Sequence, residues 1–361
     1  MEKLKENKLN DQLTCNLIKS EAVIIKRLMM TFNEPIITIG LMPYFALFCL
    51  ESTKFLSTIG ICLEDFNKSG YKLSDSRDRL KLFTDDRQHK RKGMVLRIDA
   101  LQDERFSSLL RFRVLKKLNL YDNLGVYFDE NKNIIGNTHY LSSLFQNKQL
   151  TNPITDEELE KYGEAVGSIT QTVLNLFKND CPIELETGNP ISFYQKDINT
   201  NRDRLFKINN NKETQLLLLH ILCFVNFALY VVEDIVPEST FKFRIQYISM
   251  YYAWEQLEEL AKTDDDCLAE TVNNCLNSLK PIRNRQFRNC MMHYSLQTGP
   301  KSVIKKKCLN LSVPFFGLIE SCFNHQTYSD IKRQMLDNLS RISCSLAALI
   351  TFETNHLKKL D

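Results

Sequence analysis

MLDNLSRISCSLAAL, residues 335–349, places Met335, Leu339, Ile342, Leu346 and Leu349 at 4-3-4-3 spacing. At 3.6 residues per turn these five side chains form one stripe. The pattern predicts an amphipathic helix over 328–357. Three helical segments precede it, over 213–235, 240–262 and 266–294, the third opened by the acidic run Asp264–Asp266. Four long helices, each with an apolar stripe to bury, predict a C-terminal four-helix bundle.

Upstream the pattern is less regular. Residues 14–32 and 37–67 carry apolar side chains at helical spacing, separated by the breaker Asn33-Glu34-Pro35. NLGVYFDENKNIIGNTHYL, ending at Leu141, holds two β-prone runs around the polar turn Asp129–Lys132 and predicts a short hairpin. A further helix is expected over 156–177, with acidic residues in its first turn. KDINTNRDRLFKINNNKE, residues 196–213, is Asn-rich and lacks apolar periodicity. The expectation is a mainly α protein in three parts. Residues 1–200 form a mostly helical N-terminal domain with a short β-hairpin, 201–212 a linker, and 213–361 the bundle.

Composition narrows the class. The chain has 361 residues, 43% of them hydrophobic and 25% charged, so it is globular. A formal net charge of +3 does not announce nucleic-acid binding, which must then come from local patches. The basic stretch 72–117, with Arg77, Arg79, Arg87, Lys90, Arg91, Lys92 and Arg97, reads as a solvated, partly self-compensated surface or as a strip that holds RNA backbone or an acidic partner protein. Another basic run is KSVIKKKC, residues 301–308. The eleven cysteines form no C-x-x-C pair and no Cys/His zinc spacing, and are expected reduced and buried in the cytoplasm, Cys223, Cys290 and Cys344 within apolar helical patterns. MEKLKENKLNDQL, at the start, is charged and carries no apolar h-region, so no secretory signal is expected. The run LLLLHILCFVNFALYVV, residues 216–232, is shorter than the ~20 residues of a spanning helix and contains His220 and Asn226. It is expected as a buried core helix, with no membrane partner.

RNRQFRNCMMHYSL, residues 283–296, concentrates the chemistry. Pro281 is expected to kink or restart the third helix, so the helical wheel is read from there onward. Phe287 and Cys290 share the face that packs inward, with Val272, Leu276 and Leu279 before the proline, and Arg285, Arg288, Asn289 and His293 occupy the opposite arc. Asn289 and His293 are neighbours at i, i+4. A guanidinium presents a planar fork of donors matched to phosphate oxygens, and an imidazole moves a proton near neutral pH. Arg283 and Arg285 extend the positive face as candidate backbone contacts, and Tyr294 is a candidate for stacking on a base or for packing. Glu255 and Glu258 are candidates to orient Arg288 or Arg285. His139 is expected in a surface turn, His220 as a hydrogen-bonded core residue and His325 in a loop.

Arg288-Asn289-Cys290-Met291-Met292-His293 resembles the R-x4-6-H signature of the HEPN superfamily, with Asn289 in the polar place after the arginine. The placement late in the third of four helices is also similar, and the likeness covers about 213–361. It implies a metal-independent endoribonuclease needing no cofactor, working as a homodimer whose two motif helices build a composite site. Arg288 would stabilise the charged phosphorane, His293 serve in proton transfer or phosphate orientation, and Asn289 shape the site. Attack by the 2′-hydroxyl would leave 2′,3′-cyclic phosphate and 5′-hydroxyl ends. The implied biology is a microbial toxin or antiphage abortive-infection effector, with RNA as substrate and an antitoxin or activator as protein partner. Some relatives carry a modifiable tyrosine two residues after the histidine; here Tyr294 follows His293 directly and Ser295 occupies that place, so such control is not implied. Two other readings stand beside this one: a HEPN-like module that binds RNA or a nucleotide without cutting, and a helical adaptor for oligomerisation.

Overall fold

The computed structural model describes residues 2–61, 73–81, 94–108, 121–145, 155–176, 191–208, 211–262, 265–298 and 301–360. The chain is mainly helical, as the spacing predicts. Arg87, Lys90, Arg91 and Lys92 of the basic stretch lie outside the described residues.

Two long helices lead, α1 (Glu2–Thr31) and α2 (Pro35–Thr58), and the break between them is the expected one, with Glu34 as N-cap and Pro35 at the first helical position. Short α3 (Leu73–Asp78) and α4 (Met94–Ser108) follow. The hairpin forms from β1 (Leu124–Phe128) and β2 (Ile134–Asn137). Its turn is held by the Asp129 carboxylate, which accepts from the backbone and side-chain nitrogens of Asn133 at 2.7 and 2.8 Å. Next come α5 (Thr138–Phe145), α6 (Asp156–Leu176) and β3 (Tyr194–Ile198). Strand β3 pairs antiparallel with β1, in the register Val126↔Lys196.

The second half contains α7 (Lys212–Ile235), with a π-turn at Phe227–Val231, α8 (Thr240–Leu260) and α9 (Asp266–Ser278). After them stand α10 (Arg285–His293), the two-residue strands β4 (Gln297–Thr298) and β5 (Lys301–Ser302), and α11 (Leu318–Cys322). Helix α12 (Tyr328–Ala347) and β6 (Lys358–Lys359) end the fold. Helix α12 opens with a reciprocal capping box between Thr327 and Asp330 and buries Met335, Leu339, Ile342 and Leu346 as the stripe requires. Helix α8 is buried on all sides from Phe241 to Ala253, the signature of a central helix. It packs against α7, α9, α10 and α12, and on its other side against α1.

That last contact crosses the boundary expected at 200, and among the described residues one core cluster takes members from Leu13 to Leu346. The segment expected as a linker is seated as well. Phe206 is fully buried and bridges to Ile350, Lys207 N donates to the Leu349 carbonyl, and Thr351 N donates to the Leu205 carbonyl. Consequently the last helix stops at Ala347, short of 357. The chain turns back, and β6 joins the sheet beside β3 in the order β2-β1-β3-β6. Two elements that are local in sequence are thus sewn together by backbone hydrogen bonds from the far end of the chain.

Helices Pro35–Thr58 and Lys212–Ile235 are long and apolar enough to cross a membrane, yet 78% and 83% of their most apolar windows are buried inside the fold. They meet closely: a Cβ added at Gly40 of α2 would run into the Phe227 ring of α7. The described cysteines carry free thiols; Cys223 and Cys290 are buried, whereas Cys344 is exposed, on the polar face of α12.

Two histidines depart from expectation. His139 is fully buried rather than in a surface turn, with Nε2 3.0 Å from the Asp99 carboxylate, which also meets Lys212 Nζ at 2.6 Å. His220 is buried as expected, but neither ring nitrogen has a hydrogen-bond partner among the described residues. Burial pushes its pKa down to about 3, so the ring is neutral. Between its ordinary value of 6.5 and about 3, the unfolded chain binds a proton there that the folded chain does not, so stability falls as pH falls. Acidification from pH 7 to 5 should cost about 2 kcal/mol through this residue. Urea unfolding at both pH values measures it; His220→Phe should lose about that much less stability over the same interval.

Candidate functional site

The motif residues stand on α10, a helix of their own. The single third helix expected over 266–294 is interrupted after Ser278, because Pro281 has no N–H to offer a helical bond. The interruption is held in place from α12: the buried Asn338 side chain accepts from Lys280 N at 2.7 Å and donates to the Lys280 carbonyl at 3.0 Å. Asn284 then restarts the helix as N-cap, accepting from Phe287 N at 2.9 Å while its amide donates to the Cys322 carbonyl.

The far end of α10 is fixed by buried charge. Arg244 of α8 and Glu21 of α1 are both 0% exposed and meet through three hydrogen bonds of 3.0–3.2 Å. The same guanidinium donates to the Met291 carbonyl and lies 3.5 Å from that of Cys290. It therefore sets a positive charge against the negative end of the α10 dipole. Burial opposes the charge on Arg244, and Glu21 outweighs it, leaving the guanidinium firmly protonated. Tyr294 ends the helix in the left-handed conformation, φ 48°. That conformation costs a non-glycine residue about 1–2 kcal/mol. Tyr294 is held in it by its hydroxyl, which donates to Glu21, and by the Arg244 guanidinium 3.7 Å from its ring centre.

This corrects one expected role. Tyr294 is fully buried and packs edge-on to Phe48, so it is a structural residue and has no face to offer a base. Met291, Met292 and Cys290 are buried too, and burial pushes the Cys290 thiol up to about 12.

The opposite arc of α10 reaches the surface, as the wheel predicts. Arg285 is exposed, Arg288 and Asn289 are half-buried, and His293 is 46% exposed. The Arg288 guanidinium lies 5.1 and 5.8 Å from the rings of Tyr251 and Tyr252. Its Nε is buried without a hydrogen-bond partner, and no carboxylate among the described residues pairs with it. Arg283, on the other flank of Tyr251, is engaged: it pairs with Glu258, lies 3.7 Å from Glu255 and sits 5.1 Å from the ring. The two glutamates thus hold Arg283 and neither Arg288 nor Arg285.

Sequence reasoning missed what stands behind His293. Its Nδ1 lies 3.3 Å from the carboxylate of Glu51, a residue of α2 that is only 5% exposed. Arg77 of α3 reaches the other Glu51 oxygen at 3.1 Å and Asp78 at 3.0 Å, and Lys54 lies 3.9 Å away. Burial raises the Glu51 pKa, but the hydrogen bond and charge of His293, with Lys54 and Arg77, outweigh it and hold the carboxyl below its ordinary range. Arg77 also shares the field of Tyr252 with Arg288; burial raises that phenol to about 12 while both arginines pull it down. A signal was present in the sequence, since Glu51 is a lone carboxylate in an apolar helix. Its partner, 242 residues away, was not.

Lys301 and Lys305–Lys307 are exposed. His325 stands in its loop with Nδ1 3.5 Å from Cys308 Sγ. Two cavities, of about 420 and 570 Å³, lie against α1, α2 and α6 and beside the sheet, and no motif residue lines either. Among the described residues no three His, Cys, Asp or Glu side chains converge as metal ligands. Among the described residues, the site is accordingly an outward helix face carrying an arginine whose Nε is unpartnered and an imidazole backed by a carboxylate. Such a surface can bind a phosphate and move a proton beside it.

No family model matches the chain, and neither the curated proteins nor the solved structures contain a match.

The seating of α10 is testable through its buried charge. Glu21→Ala leaves Arg244 buried without its counter-charge and should cost about 3–5 kcal/mol, read as a lowered urea midpoint. Tyr294→Phe removes one hydrogen bond and should cost about 1–2 kcal/mol.

Proposed function

We propose that the chain is a metal-independent endoribonuclease of HEPN type, with Arg288 and His293 as its catalytic residues. The observation that carries this reading is their joint placement: both stand on the solvent side of one short helix, Arg288 without a carboxylate partner among the described residues and His293 with a carboxylate behind its ring. Arg288 binds the scissile phosphate and stabilises the charge that builds on its equatorial oxygens. The 2′-hydroxyl attacks phosphorus, the O2′–P bond forms and the P–O5′ bond breaks. An imidazole takes the 2′ proton, and O5′ leaves with a proton. The products are a 2′,3′-cyclic phosphate and a 5′-hydroxyl.

The outward face of α10 suits pairing with a second copy across a two-fold axis, where one His293 accepts the 2′ proton and the other supplies the proton to O5′. Asn289, one helical turn from His293, shapes the site, and the exposed Arg285 contacts the substrate backbone. Arg283 supports this face through Tyr251 instead of reaching for RNA. Action as a cytoplasmic toxin or abortive-infection effector, held by an antitoxin or released by an activator, is the biology consistent with such an activity.

Purified protein incubated with total RNA in EDTA should generate new 5′-hydroxyl and cyclic-phosphate ends. His293→Ala and Arg288→Ala should each slow cleavage at least ~100-fold while the thermal melt stays within a few degrees of wild type. Equal cleavage by His293→Ala and wild type would falsify the assignment. RNA retained in a salt-dependent way without new ends would point to the non-catalytic binding module.

A further inference from the structure

We propose that Glu51 is the positioning residue for His293, anchored by Arg77, so that helices α2 and α3 complete the site within the same chain. The inference rests on the ribonuclease reading for its chemistry and on geometry for its substance.

A carboxylate buried in an apolar helix is costly unless it is paired. Glu51 is such a group: only 5% of its side chain is exposed, amid the buried residues Leu47, Phe48, Cys49 and Ser52 of α2. Its two oxygens divide their partners. Oε1 takes Arg77, and Oε2 takes His293, with Lys54 more distant. An ionised carboxylate has no proton to donate, so the hydrogen on the shared bond belongs to Nδ1. The neutral ring then carries its lone pair on Nε2, which no described residue engages. Glu51 thereby does two things for a half-exposed side chain that would otherwise turn freely: it fixes the plane of the ring and selects the tautomer whose free nitrogen can accept a proton.

Arg77 has a matching place. Pairing with Glu51 on one arm and Asp78 on the other, it fixes the carboxylate's second oxygen. It comes from the 72–117 stretch that the sequence offers as an RNA-binding strip, but its amino groups are turned to this internal task. Residues before the expected boundary at 200 are therefore part of the site itself.

The test uses full-length protein with ¹⁵N-labelled histidine, in which two-bond ¹H–¹⁵N correlations report the tautomer of each neutral ring. A His293→Gln variant assigns the signal. Wild type should show His293 protonated on Nδ1. Glu51→Ala should move it toward the Nε2–H form favoured by a solvated imidazole, and isosteric Glu51→Gln should do so in part with the fold unchanged. On RNA, Glu51→Ala should lower kcat about 100-fold with KM within about twofold, because the residue orients the base without touching substrate. Glu51→Asp should restore part of the loss. An unchanged His293 tautomer in both Glu51→Ala and Glu51→Gln would overturn the inference. If wild type cuts no RNA but the tautomer switches, the ribonuclease reading fails and the positioning role stands.

Discussion

The buried ion pair between Glu21 and Arg244 joins three helices that are far apart in the chain. Charge of this kind is stable in a protein interior only when nearly every donor and acceptor is used. Here the guanidinium spends its donors on both oxygens of the Glu21 carboxylate and on the last carbonyls of α10, and Glu21 Oε2 accepts from Tyr294 as well. No piece of this network can shift without uncovering a charge. The motif helix is thus clamped between a central helix and the N-terminal helix, and His293 is presented at a fixed point where α10 ends.

From that clamp the organisation of the site follows. Helix α10 is nine residues long, too short to be stable alone. Its order comes from Asn284 at one end, Arg244 at the other and the buried face of Phe287, Cys290, Met291 and Met292 between them. Its solvent face consequently carries the residues that packing does not use. Tyr251 and Tyr252, set edge-to-face with each other, place aromatic rings 5.1 and 5.8 Å from the Arg288 guanidinium. The N-terminal helices belong to this arrangement as much as the C-terminal ones, since α1 supplies Glu21, α2 supplies Glu51 and α3 supplies Arg77.

What the sequence made legible was periodic or local. The stripe from Met335 to Leu346, the Asn33–Pro35 break, the Asp129 turn and the two faces of the motif helix all depend on neighbours within a turn or two. What escaped reading depends on contacts across hundreds of residues. Pro281 signalled a kink, but not that Asn338, 58 residues beyond Lys280, holds the interruption in place. The Asn-rich stretch around 201–212 reads as a linker because its partners, Leu349 to Thr351, come so late in the chain. His139 looks like a turn residue until Asp99 is found beneath it. Tyr294 carried both readings in the sequence, and the buried carboxylate of Glu21 decides between them.

Helices α1 and α10 form one cooperative unit through Glu21 and Arg244, and hydrogen exchange by mass spectrometry reads this directly. In the Glu21→Gln protein, peptides from residues 14–25 and from 286–293 should lose protection together and to a similar degree. Faster exchange confined to the first peptide, with the motif helix protected as in wild type, would contradict the clamp and with it the fixed presentation of His293.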